Sequence, residues 1–558
     1  MKKISILLVN SSGMPFSELK KLNQATYRQL GGNVKSLPIG LLYISSYLAK
    51  EFPDRLSQKL LDFGAERDYV GDYDSVESFI AETGRTAVTC QPDIVALSVM
   101  FSTAHTFARK IVDIFKKLWP DAVFVMGGVH ATAVTRHILK TVDVDYVFRG
   151  ESELAMADFV RNFEHREQIS IRGVYSKKDI ESNMDQLCDP VMNLDELPMP
   201  NLSLLNMSEY IKTETLMKLY DEKSNSRTYE FITSRGCPFS CTFCACGTVT
   251  RKNVRYRSVE NVMEEIKFVH EKYGANAFLA NDDLMTANKK RMLSIFEEVG
   301  RLGIDKARFY TVGIHCDTTD NDIIDAVARH SRVIRFPVES GCPETLKAVK
   351  KNVNLDSLKN KIAYARSRNL IVMCNFIFGF PGETLQQMES TVSYMRELNA
   401  DWYTVFTAIP FPGTEMNRQF VELGCIGQYD EELWETSHYG NRTFDTEECS
   451  AEFLTNFVYE VNLDLNFINN FNLRSGNYQK AILLFEDINR MYPFHVFAKI
   501  GLYMAYSGNG NTEKADKIEA EIHAMVAGDP RSRNMVKAHG RLLADTKFGD
   551  LLASEAAA

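Results

Sequence analysis

No stretch of this 558-residue chain approaches the roughly 18 uninterrupted apolar residues of a membrane helix. A secretory leader is not evident either. The apolar run Ile4 to Val9, behind Met1-Lys2-Lys3, is too short for a signal core followed by a cleavage site and suits a first β-strand. Positive charge is not in excess: the formal net charge is −9, so nucleic acid is not expected as a partner. These absences predict a cytoplasmic protein with no transmembrane segment. A disulfide framework is also lacking, because the 11 cysteines are odd in number and scattered over a long chain. They concentrate in one place only, at Cys237, Cys241, Cys244 and Cys246. Clustered thiols in a reducing compartment favour metal or cluster binding.

What is present is an ordinary globular composition, with enough length for about three or four domains. The first part alternates strand and helix signals. Ile4–Val9, Lys59–Phe63, Asp93–Val99, Ala122–Met126 and Val144–Phe148 are short apolar runs, with helical spacing over Pro38–Glu51, Thr103–Leu118 and Glu151–Phe163. The fold class is therefore α/β, with a doubly wound, Rossmann-like domain over residues 1–165. Such sheets bind ligands at the carboxyl ends of their strands, here the loops after Val9, Val99, Met126 and Phe148. Prolines and acidic turn residues mark residues 166–227 as a linker. Six βα units then run from 228 to 415, with strands at Tyr229–Thr233, Ala277–Asn281, Arg308–Gly313, Val333–Val338, Ile371–Phe378 and Trp402–Ala408. They predict a partial (β/α)6 barrel of the TIM type, short of the eight units of a complete one. Residues 416–558 read as mainly helical. The stretch Gly476–Ala498 is similar to one tetratricopeptide unit, though two packed helices explain it as well, since a working array needs several copies. Ser554–Ala558 is expected to fray.

The cysteine segment reads Thr233-Ser-Arg-Gly-Cys237-Pro-Phe-Ser-Cys241-Thr-Phe-Cys244. A [4Fe–4S] cluster ordinarily takes four thiolates, so three close ones leave one iron open. Gly236 and Pro238 disfavour a helix that would simply bury the three sulfurs along one face. Zinc is the stronger competitor, with Cys246 as a fourth ligand.

Cys237-x3-Cys241-x2-Cys244, with Phe243 beside the last cysteine, resembles the signature of the radical S-adenosylmethionine (SAM) superfamily. Arg255-Tyr-Arg-Ser258, Asn281-Asp-Asp283, Val338-Glu-Ser-Gly341, Phe378-Gly-Phe-Pro-Gly-Glu383, Pro412-Gly-Thr414 and the linker Asn193–Pro200 are spaced as in its cobalamin-associated branch. The resemblance implies a [4Fe–4S] cluster whose open iron chelates SAM. An electron then splits the sulfonium and releases a 5′-deoxyadenosyl radical. It implies a flavodoxin- or ferredoxin-type electron donor and a small-molecule substrate. By position Phe243 flanks the adenine, Asp282, Asp283 and Glu339 meet the polar part of SAM, and Gly379 and Pro381 let backbone approach the adenosine. For the acids a solvated strand end, and for the glycine a plain turn, are the alternatives.

Residues 1 to about 165 resemble the cobalamin-binding domains of that branch through Leu97-Ser98, Gly127-Gly-Val-His-Ala-Thr132 and Arg149-Gly-Glu-Ser-Glu153. Ser98, Gly127, Gly128, His130, Gly150 and Glu151 are the implied cobalamin contacts, with a locally satisfied histidine as the other reading of His130. The Asp-x-His-x-x-Gly motif that supplies a histidine to cobalt is absent, and no histidine precedes Ala104. Cobalt is then expected without a histidine below it.

The reaction expected from the resemblance is methylation of an unactivated carbon. An oxidative cyclase and an aminocarboxypropyl transferase are the alternatives among enzymes, and a non-catalytic redox sensor lies outside them. Methylthiotransferases are set aside because their N-terminal domain carries three further cluster cysteines, whereas here that region offers Cys90 and Cys188.

Overall fold

The computed structural model describes residues 3–22, 35–211, 226–250, 252–304 and 308–551. The chain forms two compact units. The first comprises Met1–Thr213, Ser226–Gly313 and Ile409–Ser437; the second comprises Glu214–Asn225, Ile314–Ala408 and His438–Ala558.

The first unit begins with strands β1 (Ile4–Asn10), β2 (Leu56–Asp62), β3 (Ile94–Ser98), β4 (Val123–Gly127), β5 (Tyr146–Phe148) and β6 (Val174–Ser176). They form one sheet in the order β2-β1-β3-β4-β5-β6. The first five strands are parallel and β6 runs antiparallel to β5. Strands covered on both faces read as continuous apolar runs, and in β1 the stretch Ile6–Val9 is wholly buried. Helix Ile39–Glu51 packs below one face, while helices Val76–Ala87 and His105–Leu118 serve the other. The expected strands are all found within a few residues of their predicted limits. The helix Val76–Ala87, set by the Ser75 capping box, was not foreseen. Nor was β6, which extends the sheet beyond residue 165 into the expected linker. Part of that linker, 212–225, and the tail Ser554–Ala558 lie outside the described residues.

The same unit holds β7 (Thr228–Phe231), β8 (Ser234–Arg235), β9 (Arg255–Tyr256), β10 (Ala277–Ala280) and β11 (Arg308–Thr311). β7, β10 and β11 make a parallel three-stranded sheet, and β8 pairs antiparallel with β9. The helix between β9 and β10 starts at the Ser258 N-cap and stops at Gly274 in the left-handed region.

The second unit contains β12 (Val333–Glu339), β13 (Ile371–Phe378) and β14 (Trp402–Thr407), parallel and in sequence order. All six strands expected for the barrel are therefore present, as two parallel ladders of three. A helical bundle follows, including the helix Ala451–Leu463. Helices Tyr478–Met491 and Val496–Gly508 occupy the tetratricopeptide-like stretch and share a core with Thr512–Gly528 and Pro530–His539. The helical content expected after residue 415 is found, although Ile409–Ser437 is built into the first unit.

Candidate active site

A parallel sheet in the order 2-1-3-4-5 reverses its winding direction between β1 and β3, and a crevice opens there at the carboxyl ends of the strands. The first unit has a cavity of about 690 Å³ at this place. All four loops singled out in the sequence reach it, through Asn10, Phe101, Gly128 and Gly150 among others. Ser98, Gly127, Gly128, Gly150 and Glu151 line the cavity together. Met100 and Phe101 also line it, with 50 % and 52 % of their surface exposed. Large apolar side chains left open beside backbone walls suit a broad, partly apolar ligand. His130 is not among the lining residues. It is buried, with Nδ1 2.9 Å from Ser102 Oγ and Nε2 2.9 Å from His105 Nδ1. No histidine is found among the described residues of the cavity wall.

Gly128 shapes this wall by conformation. Its φ is +100°, and a Cβ there would lie 2.5 Å from the carbonyl oxygen of Val99. The close crossing lets Val99 N–H donate to Gly127 O at 2.9 Å and His130 N–H donate to Val99 O at 3.1 Å. We expect Gly128→Ala to cost about 2–4 kcal/mol, from the left-handed backbone and the clash together. Urea unfolding checks the cost, and cobalamin retained through gel filtration checks the wall.

The cysteine loop leaves the carboxyl end of β8. Its base is held by the two aspartates after β10. Asp282 is buried and accepts bonds from Thr233 N–H (2.6 Å), Thr233 Oγ1 (2.5 Å) and Ser234 Oγ (2.5 Å). Burial pushes its carboxyl up while these donors pull it back, and the balance stays above the ordinary value. Asp283 accepts the Gly236 N–H at 2.7 Å, one residue before Cys237. Arg291 clamps Thr233 from the other side, donating to its carbonyl at 2.8 Å. Both aspartates thus grip the backbone that delivers the cysteines. Beyond the loop, Met416 N–H donates to Thr242 O at 2.9 Å, fixing the segment that begins at Pro412-Gly-Thr414.

Cys237 and Cys241 are half-buried and Cys244 is exposed. Phe243 is half-buried between the last two. The Cys246 thiol is pushed up, first by its hydrogen bond with Cys244 and then by burial. Tetrahedral zinc would draw its sulfurs to about 3.8 Å from one another. Among the described residues, no three cysteine sulfurs gather within 4.8 Å. A cubane binds each thiolate to a different iron and holds the sulfurs farther apart, so it does not require such a gathering.

Sequence reasoning missed the ion network that connects loop and cavity wall within this unit. Glu151 is shared by Arg235, at 2.6 Å, and Arg255. Arg235 also meets Glu153 at 2.8 Å. All four side chains are buried or nearly so. Arg235 sits two residues before Cys237, and Glu151 lines the cavity, so one ion cluster ties both places. Arg-Gly-Cys and Gly-Glu-Ser-Glu are visible in the sequence, but their pairing requires the fold.

The second unit holds the remaining predicted residues. Glu339 is buried at the end of β12, with φ +73° and Lys351 Nζ 3.4 Å away. Gly379 has φ +80°, and a Cβ there would lie 2.4 Å from the Leu454 side chain. Its carbonyl accepts from Arg442 at 2.8 Å. Pro381 lies in the same turn, half-buried. The turn is closed by Glu383, which accepts the Gly379 N–H at 2.6 Å and the Phe380 N–H at 3.2 Å. Burial pushes its carboxyl from an ordinary 4.5 to about 7, against the pull of those donors. A raised folded-state value means the stabilising proton is fully held below about pH 4.5 and is lost as pH rises through about 7. Glu383→Gln removes that titration, so the fall in melting temperature between about pH 5 and 8 should flatten in the variant. Thermal unfolding across that range checks it.

Residues 231–395 match the Radical SAM superfamily, and residues 34–160 match the B12 binding domain. An uncharacterized methyltransferase of Pyrococcus horikoshii is 27% identical over 68% of this chain and 77% of its own. The cytidylyl-2-hydroxyethylphosphonate methyltransferase of Streptomyces wedmorensis is 26% identical over 75% of this chain and 82% of its own. The anaerobic magnesium-protoporphyrin IX monomethyl ester cyclase of Rubrivivax gelatinosus is 25% identical over 60% and 59%. In fold, the chain is similar to the cobalamin-dependent SAM radical enzyme OxsB, with TM-score 0.62 and 15% identity over 100% of this chain and 81% of that one. The radical SAM methyltransferase TsrM of Kitasatospora setae gives TM-score 0.56 and 16% identity over 75% and 76%.

Loop, sheet and matches define the class: this is a radical SAM enzyme. Beside the radical SAM domain the chain carries a B12 binding domain, and the cofactors of these two domains are a [4Fe–4S] cluster, SAM and cobalamin. No helix among the described residues is long and apolar enough to cross a membrane.

Proposed function

We propose that this enzyme transfers a methyl group from SAM to an unactivated carbon of a small molecule. The observation that carries the reading is that one compact unit contains both a cavity at the β1/β3 reversal and the cysteine loop, tied together by Glu151 and Arg235. Bound at these places, the cluster supplies an electron for cleaving SAM, and cobalamin supplies a methyl carrier.

The protein's own work is positioning. Cys237, Cys241 and Cys244 hold the cluster. Asp282 and Asp283 act on the loop backbone, and any contact of theirs with SAM comes second to that. Ser98, Gly127, Gly128, Gly150 and Glu151 present the cobalamin wall, with His130 behind it supporting its neighbours. Phe243 beside Cys244 is the adenine neighbour within the first unit. A flavodoxin- or ferredoxin-type donor in the cytoplasm delivers the electron. The methyltransferase names of two relatives support this reading, and the cyclase relative keeps an oxidative ring closure as the second.

The products of SAM distinguish the reactions. Anaerobic turnover with a strong reductant should yield both S-adenosylhomocysteine and 5′-deoxyadenosine. 5′-Deoxyadenosine alone would favour the cyclase, and methylthioadenosine would favour aminocarboxypropyl transfer. Absence of all three would leave the redox-sensor reading.

A further inference from the structure

One group of side chains in the first unit has no part in the reaction above. His105 opens the helix His105–Leu118, His137 lies on the helix Thr135–Thr141, and Glu431 opens the helix Glu431–Thr436 of the returning segment. Among the described residues they are the one set of three metal-ligating side chains whose ligand atoms lie within 4.8 Å of one another. His137 Nε2 and His105 Nε2 stand 2.7 Å and 3.2 Å from the same oxygen, Glu431 Oε1.

His105 is 3 % exposed, and its Nε2 stands 3.2 Å from Glu431 Oε1 in poor hydrogen-bond alignment. A buried ring nitrogen aimed at a carboxylate in poor alignment needs an explanation. The other ring nitrogen supplies one. His105 Nδ1 lies 2.9 Å from His130 Nε2, and His130 Nδ1 lies 2.9 Å from Ser102 Oγ. If each histidine donates outward along this chain, from His105 to His130 and from His130 to Ser102, His105 Nε2 is left as a lone pair. In that tautomer a lone pair and a carboxylate oxygen face each other across 3.2 Å, an arrangement that a cation between them resolves, whereas the opposite tautomer points His105 Nε2–H at the carboxylate.

We propose that His105 Nε2, His137 Nε2 and a carboxylate oxygen of Glu431 form a binding site for one divalent transition-metal ion, with zinc as the member that best suits two imidazoles and a carboxylate. Three protein ligands leave a fourth position for water. His130 and Ser102 are the outer partners that orient a ligating imidazole. On binding, the metal takes the place of the hydrogen between His137 Nε2 and Glu431, and the ligating imidazole carries its proton on Nδ1 instead. Arg109 Nη1, 3.0 Å from Glu431 Oε2, occupies the second oxygen and keeps the carboxylate single-handed. Trp434 packs edge-on to His105, His130 and His137, with centroids 5.2–5.6 Å away. Tyr429 stacks on His137 at 4.8 Å. The ion would clasp the segment Ile409–Ser437 to the cobalamin-binding domain. The same segment holds the cysteine loop through Met416.

The test uses the anaerobically reconstituted full chain, equilibrated with zinc sulfate, dialysed and analysed for metals. Wild type should retain about one zinc per chain. Cys246→Ser, which breaks the rival cysteine site, should retain it too. His137→Ala and Glu431→Gln should each weaken zinc affinity by about tenfold or more, with iron and cobalamin content unchanged. Glu431→Gln preserves side-chain volume, so it decides the matter if His137→Ala folds poorly. Equal zinc in wild type and Glu431→Gln, or zinc lost only with Cys246, overturns the proposal.

Discussion

Serine in place of Cys237, Cys241 or Cys244 is expected to lower bound iron from about four per chain toward none. The rate of 5′-deoxyadenosine formation should fall by about a thousandfold or more, since the electron reaches SAM through the cluster. Three thiolates are the minimum grip on a cubane with one vacant iron, and a hydroxyl is a poor ligand for it. The effect should be equal at the three positions and absent at Cys246, which lies outside the Cys-x3-Cys-x2-Cys spacing. Cysteine-by-cysteine iron analysis with product chromatography checks this. The folded state should survive in all four variants, because the loop base hangs on Asp282 and Asp283 rather than on sulfur.

The second large effect is expected at Arg235. It answers two buried carboxylates, Glu151 at 2.6 Å and Glu153 at 2.8 Å. Arg235→Ala leaves Glu153 buried without this partner and strips Glu151 of one of its two. Removing one side of a buried ion pair typically costs about 3–5 kcal/mol. The cost should appear in urea unfolding, together with loss of both iron and cobalamin, since the network joins the cavity wall to the loop. Combining Arg235→Met with Glu153→Gln should recover a good part of the stability, because apolar or neutral replacements of whole buried pairs are tolerated far better than half-pairs. If the single variant unfolds like wild type and keeps both cofactors, the network is decorative.

The sequence shows its strands and its cluster loop clearly. β1, β3 and β4 are buried on both faces and read as unbroken apolar runs, and their carboxyl-end loops did converge on one cavity. The three cysteines stand out because glycine and proline flank them where a helix would otherwise be allowed. What stayed hidden depends on pairing across long separations. Asp282 looks like a free acid at a strand end, yet its oxygens are spent on Thr233 and Ser234, 48 to 49 residues away. His130 reads as a ligand contact from its place after Gly127-Gly128, but the short helix Val129–Ala133 turns it toward His105. β6 has only three residues inside a turn-rich stretch and gives no periodicity to detect. The placement of Ile409–Ser437 with the first unit rests on contacts such as Met416 to Thr242 and Glu431 to His137, which composition does not reveal.

The central claim is that one unit carries both a three-cysteine iron–sulfur loop and a cobalamin cavity. Iron and cobalamin content of the anaerobically purified, reconstituted full chain tests it most directly. About four irons and one cobalamin per chain are expected. A chain that takes up no corrinoid, or that holds zinc at the cysteines in place of iron, would contradict it.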